Sequence, residues 1–318
     1  MTELNGRNYR VANSTTNTFT LVDLFGSAIN TTSFTTFTSG GTATEIFEVA
    51  TPYTEAQLFD VRFAQSADTM FIVHPSHPVK TLTRTDHNAW TFASLSINEN
   101  STPTLTSTNN YPSVVSFFEQ RLVFGNTNNN PQTLWFSKNG DYDNFATGTG
   151  DNDALIYTIA SNQVNAIRFL SATRVLTVGT SGGEYVLTST NDGPVTPTTT
   201  LIRKYSNYGT AEIEPVQVAD VTLFAQRGKR KIREFKFVGD VNTGGYSAPD
   251  MTILAEHVTE GGLVQMAFQQ EPDSVVWCIR ADGTLLGLTY RREEEVVAWH
   301  KHIIGGAFSS GQAVVESI

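Results

Sequence analysis

A single cysteine in 318 residues rules out a disulfide framework and any Cys-x-x-Cys site, and it leaves Cys278, beside Trp277, as a small buried hydrophobe. Charge is also scarce. Only 16% of the residues are Asp, Glu, Lys or Arg, and the Lys/Glu-rich stretches of a helical protein are missing. No run approaches the roughly 18 apolar residues of a membrane-spanning helix, and Met1–Thr20 is too polar for the core of a signal peptide. The chain is therefore expected to be soluble and made in the cytoplasm. No Gly-rich phosphate loop leads from a strand into a helix, and no Ser/His/Asp set is suggested by context. His74-Pro75-Ser76-His77, with His87 nearby, lacks a cysteine partner and zinc-site spacing, so it reads as a polar loop. A formal charge of −10 argues against a protein built to grip nucleic acid through its phosphates.

What is plentiful is Thr, Ser, Asn and Gly, the composition of an all-β chain with many turns. Val275–His302 shows this most clearly. Val275–Ile279 and Leu285–Tyr290 flank Asp282-Gly283, whose type I′ turn preference makes a hairpin, and Val296–His300 adds a third strand beyond a charged tip. The same plan, a strand with a central aromatic, a polar break and a more apolar strand, recurs in Leu58–Pro75, Ser113–Asn126, Val164–Gly179, Val218–Phe237 and Gly262–Gly283. Aligning Phe63, Phe118, Phe169, Phe224 and Phe268 gives spacings of 55, 51, 55 and 44 residues. A period near 50 with about four strands per period predicts a β-propeller.

The expected organisation is a small β module at 1–43, followed by a propeller of five to six blades at 44–318. The module should hold strands at Tyr9–Val11, Thr18–Val22 and Ile29–Phe37, with a turn at Asp23–Ser27. Glu45–Ala50 is a further strand, and Thr54 caps one helical turn over Glu55–Leu58. The blades are placed at 58–110, 111–160, 161–212, 213–260 and 261–306, with 307–318 as the start of a further blade, so that the propeller is incomplete in this chain. In the second blade Thr133–Ser137 is expected as an outer strand, followed by a turn at Lys138-Asn139-Gly140-Asp141 that leads to Phe145.

No catalytic, cofactor or metal residues are identified. Two charged clusters are candidates for contact with a partner. Arg227, Lys229, Arg230, Lys231 and Arg233 would project from a hairpin between Phe224 and Phe235, either guarding a sheet edge or meeting an acidic partner or DNA phosphates. Arg291, Arg292, Glu293, Glu294 and Glu295 form the tip before Val296, where consecutive charges face solvent or a neighbouring subunit. His300 and His302 alternate on one strand face, exposed at a blade edge or used at an interface.

Three stretches carry a resemblance. Thr51–Pro75, above all Gln65-Ser66-Ala67-Asp68 and the apolar strand after it, resembles the opening of the propeller in the tail tubular protein B, or nozzle, family of short-tailed bacteriophages. Val276–Tyr290 with Val297-Ala298-Trp299-His300 is similar to a hairpin of such tail stabilization proteins, and Asn5–Gly41 to a small module ahead of it. The resemblance implies a structural virion protein and not an enzyme. It implies a homohexameric ring below the portal and its adaptor, in contact with that adaptor and with tail fibres, forming the conduit for genome ejection. Six copies would carry −60 formal charges, which suits DNA that slides past without binding tightly. The rival reading is a propeller glycoside hydrolase or lyase, or a glycan-binding propeller, acting on host polysaccharide. A hydrolase would require a carboxylate pair across a central cleft.

Overall fold

The computed structural model describes residues 2–42, 47–191, 193–239, 245–308 and 311–318. The chain divides into two units, Met1–Glu48 and Val49–Ile318. The 43/44 boundary expected from sequence falls outside the described residues.

In the first unit β1 (Arg10–Ala12) pairs antiparallel with β2 (Thr20–Val22), Val11 opposite Leu21. The Asp23–Ser27 turn forms as its residue types dictate, with Asp23 Oδ1 accepting from the Phe25 and Ser27 N–H groups at 2.9 and 2.8 Å. Ile29–Phe37 is not a strand. Asn30 Oδ1 takes hydrogen bonds from both the N–H and the hydroxyl of Thr32, and this local Asx turn competes with any ladder. Of the strand expected at Glu45–Ala50, positions 45 and 46 lie outside the described residues and 47–50 are irregular. Apolar side chains of this unit stay open to solvent, Phe25 95% and Phe19 and Phe37 each 59% exposed.

The second unit is a five-blade β-propeller, each blade a four-stranded antiparallel meander. Blade 1 comprises β3 (Arg62–Ser66), β4 (Thr69–His74), β5 (His77–Asp86) and β6 (Ala89–Ser94), and blade 2 β7 (Pro112–Phe118), β8 (Arg121–Thr127), β9 (Thr133–Phe136) and β10 (Leu155–Thr158). Blade 3 comprises β11 (Ile167–Ala172), β12 (Leu176–Thr180), β13 (Gly183–Ser189) and β14 (Thr200–Ser206), and blade 4 β15 (Val216–Val218), β16 (Val221–Ala225), β17 (Ile232–Val238) and β18 (Gly245–Ser247). Blade 5 comprises β19 (Leu263–Gln269), β20 (Val275–Arg280), β21 (Leu285–Arg291) and β22 (Val296–His302). The inner strands begin at Arg62, Pro112, Ile167, Val216 and Leu263, so the period is 50, 55, 49 and 47 residues. Phe224 breaks the aromatic alignment because it lies on the second strand of its blade. The short Val216–Val218 strand ahead of it carries no aromatic to mark it.

Alternation of side chains lets each middle blade bury both faces. On β8, Leu122 and Phe124 pack toward blade 1 while Val123 packs toward blade 3; on β13, Tyr185 and Leu187 pack toward blade 2 and Val186 toward blade 4. Gly179 on β12 is required by this packing, since a Cβ there would lie 2.2 Å from Cε1 of Phe169. Buried apolar clusters fill the junctions between blades 1 and 2, 2 and 3, 3 and 4, and 4 and 5. Among the described residues the junction between blade 5 and blade 1 holds none.

The outer strand expected at Thr133–Ser137 forms as Thr133–Phe136, and Phe145, reached after the Lys138–Asp141 turn, lies in no strand but is 2% exposed within the loop 137–154 and stacks on Phe124 at 5.3 Å. The fourth strand of blade 2 is Leu155–Thr158, hidden in the sequence behind a stretch rich in Asn, Asp and Gly. The expected helical turn after Thr54 is a 3₁₀ turn over Glu55–Asp60. At the other end, β23 (Ala307–Phe308) and β24 (Gly311–Gln312) make only a minimal hairpin. Residues 313–318 then return to blade 5, where Val315 N–H donates to Gly283 O at 2.9 Å and the Ile318 backbone pairs both ways with the Gln265 side chain at 3.1 Å.

The junction rule sets a measurable contrast. Phe124→Ala, at 0% exposure, is expected to cost about 3–5 kcal/mol in urea unfolding. Phe63→Ala, at 61% exposure on the unmatched face of blade 1, is expected to stay within about 0.5 kcal/mol.

Candidate functional site

The five basic residues after Phe224 do not act together. Arg227, Lys229 and Arg230 occupy the exposed turn between β16 and β17, with Lys229 at φ +61°. Lys231 is committed to Asp250 and Glu256, each at 2.7 Å, which raises its pKa. Arg233 is buried, contrary to an edge charge free for a partner. Its Nε donates to Gln226 Oε1 at 2.8 Å, one terminal nitrogen donates to Ala248 O at 2.6 Å, and the guanidinium lies 3.3 Å from the centroid of the Tyr208 ring. It also faces Glu184, a fully buried carboxyl whose pKa is raised by desolvation despite a hydrogen bond from Ser206 and the charge of Arg233. The alternation of β17 explains the sorting, because residue 232 enters the blade 4–5 core and residue 233 the opposite face.

The charged tip of blade 5 is divided too. Arg291 pairs with Asp273 at 2.8 Å on the surface, whereas Arg292 reaches inward to buried Glu234 at 3.2 Å. Glu234 also accepts from the Tyr290 hydroxyl at 2.9 Å, so this tip fastens blade 5 to blade 4. Glu293, Glu294 and Glu295 remain exposed. His74 is not a polar loop residue. It is 2% exposed, accepts from Ser76 N–H through Nδ1 at 3.0 Å, and has its pKa lowered by burial and by His77. His300 and His302 lie half-buried on the blade 5 face turned away from blade 4, hydrogen-bonded to each other at 2.6 Å and packed on Trp277. Gly179-Thr180-Ser181-Gly182-Gly183 spells the Gly-x-Ser-x-Gly pattern of a nucleophile elbow. It forms instead the β12–β13 turn, closed by Thr180 Oγ1 donating to Gly183 O at 2.7 Å, with no helix after it.

A polar cluster that sequence reading missed gathers at the propeller axis, where the inner strands of blades 1, 2 and 3 and the approach to the inner strand of blade 4 begin. Arg62 Nε pairs with Glu214 at 3.1 Å and its terminal Nη2 donates to Glu212 O at 3.2 Å, while Arg168 pairs with the Glu212 carboxylate. Asp60, Ser113 and Asn126 complete the walls of a 160 Å³ cavity. Glu214 is wetted from one side, its side chain 49% exposed, yet the protein around it pushes its pKa up. Burial likewise lowers the Arg168 pKa. Chemically the cluster is a brace joining blades 1, 3 and 4. The bonded partners are 44–152 positions apart in sequence, so nothing local announces them.

Among the described residues no group of three or more His, Cys, Asp or Glu is placed to hold a metal ion, and no helix is long and apolar enough to cross a membrane. Buried Cys278, its thiol pKa raised by desolvation, is a core residue.

Five antiparallel four-stranded sheets around an axis define the chain as a β-propeller. Among solved structures it is similar to a luciferin-regenerating enzyme, at 12% identity over 76% of this chain and 75% of that one, with a TM-score of 0.44. It is also similar to the β-propeller domain of Cps50 (Swd1) from Myceliophteria thermophila, at 10% identity over 68% and 65%, TM-score 0.41. A third is Hsv2p of Kluyveromyces lactis, at 10% identity over 93% and 82%, TM-score 0.38. No protein-family profile and no curated protein sequence matches the chain.

Two outcomes follow for the buried charges. Arg233→Ala orphans the buried acceptors on Gln226 and Ala248 and is expected to cost more than about 2 kcal/mol in urea unfolding. Arg227→Ala and Arg230→Ala should each stay within about 0.5 kcal/mol. Glu184 binds its proton more tightly folded than unfolded, so its contribution favours the native state below about pH 4.5 and is lost as pH rises through its raised value. Relative to Glu184→Gln, the wild-type chain is expected to lose stability as pH is raised from 4.5 in a series of urea midpoints.

Proposed function

We propose that this chain is a structural virion protein, a tail tube or nozzle subunit of a short-tailed bacteriophage, assembling as a homohexameric ring against the tail adaptor. The observation that carries the reading beyond the resemblance is the unmatched junction. Four blade junctions are filled with apolar side chains, while Phe63 of blade 1 is 61% exposed and Phe59 and Leu58, in the 3₁₀ turn ahead of it, are 60% and 54% exposed. Where such exposed apolar side chains form a patch on a folded protein, they mark a contact site. The charged groups at the axis favour the same conclusion, because both glutamates are held by arginines and the cavity is a brace. At 160 Å³ that cavity takes groups of solvent size and cannot admit a DNA duplex. DNA would therefore pass through the space enclosed by the ring of subunits, with the propellers as its wall.

One observation favours the second reading, a glycan-cleaving propeller: Glu212 lines the axial cavity, and Glu214, with its raised pKa, is held by the same Arg62. The two readings separate in solution. Negative-stain images and mass photometry of the purified protein with its adaptor are expected to show rings. Phe63→Asp should abolish them without lowering the melting temperature. A protein that stays monomeric with adaptor present, or one that hydrolyses a polysaccharide and loses turnover in Glu214→Gln, would overturn the nozzle reading.

A further inference from the structure

Blades 2 and 3 enclose an open groove of 590 Å³, away from the axial cluster and unused by the function proposed above. Its volume lies within the ~300–1,000 Å³ of small-ligand sites. One wall is Tyr157, on the outer strand of blade 2, followed by the connecting loop 159–165; the other is Tyr185, Ile202, Lys204 and Asn207 of blade 3.

The groove is built and not merely left over. Gln132 reaches the loop from its far side, donating to Ile159 O at 3.1 Å and to Ser161 Oγ at 2.8 Å. Asn165 donates to the same hydroxyl at 3.3 Å, and its amide lies over the face of Gly182. These bonds fix the loop, while three donors above it stay free. The amides of exposed Asn162 and Asn207 make no hydrogen bond among the described residues, and the Lys204 ammonium sits 5.7 Å from the centroid of the Tyr185 ring without a carboxylate partner.

We propose that this groove binds an oligosaccharide carrying a carboxylate, of the uronic acid type. Half-buried Tyr157 and Ile202 offer an apolar face for the C–H side of a sugar ring, and the two free amides match its hydroxyls. Among the described residues Lys204 is the only charged one lining the groove, so its ammonium is the charge a ligand meets there. The net charge of −10 does not oppose this at contact distance, because salt screens remote charges beyond about 8 Å. A polyphosphate or nucleic acid ligand fits less well, since the lining holds no arginine and a single lysine. The absence of a lining carboxylate makes the groove a binding site without acid/base chemistry.

Isothermal titration of the purified protein with α-1,4-linked galacturonic acid trisaccharide, and with maltotriose as the neutral counterpart, tests the assignment. The acidic trisaccharide is expected to bind and the neutral one to bind at least about tenfold more weakly, the worth of one charge-assisted hydrogen bond. Lys204→Ala and Asn207→Ala, both at exposed positions, should each weaken the acidic ligand about tenfold while the melting temperature stays unchanged. No heat of binding from either sugar at ~10 mM, a range that detects Kd values near 1 mM, would overturn the proposal. So would equal affinity for the two sugars, or unchanged affinity in the Lys204→Ala/Asn207→Ala double variant.

Discussion

Everything in the propeller depends on one requirement, that a four-stranded sheet with apolar residues on both faces must find a partner for each. Blades 2, 3 and 4 meet it on both sides, with Phe124, Trp135, Val178, Leu187, Leu223 and Ile232 each at most 1% exposed. Hydrogen bonds follow the same demand. Buried Arg121 donates to the carbonyls of Ser137, Asp153 and Asp151 at 2.8, 2.6 and 2.5 Å, which ties down the long loop that crosses the outer part of blade 2. Without those bonds the loop carbonyls would be buried without donors, and Phe145 could not be held against Phe124.

Polar groups inside the ring are ordered by the same geometry. Glu234, Glu184 and Arg233 sit at junctions and link neighbouring sheets, so charges that look like surface features in the sequence serve as fasteners. The axial brace extends this to blades that are not neighbours, because inner strands converge there. An arginine at the start of blade 1 can reach glutamates ahead of blade 4 only when the sheets are arranged about a common centre.

Much of the architecture is legible in the residues and much of the charge placement is not. The Asp282-Gly283 turn, the aromatic repeat and the apolar second strands reveal blades, because turn chemistry and alternation are local properties. Blade 4 is misread at Phe224 since its inner strand is only three residues long, and the outer strand of blade 2 is concealed by a loop whose bonds come from Arg121, far from it in sequence terms. The axial cluster is invisible for a stronger reason: Arg62, Arg168, Glu212 and Glu214 acquire meaning only when the inner strands converge. Arg233 shows the opposite failure, a charge in a conspicuous basic run whose place is decided by strand parity alone.

The unmatched junction also changes how the ring should respond to force and heat. Blades linked through four apolar interfaces and a polar brace behave as a short linear array with two ends, in which stability is a sum of unit and nearest-neighbour terms. Blades 1 and 5 each have one such neighbour, the others two. Opening therefore starts at the ends and travels inward, and a partner that covers the Phe63 face would convert a chain that frays into one that melts as a unit.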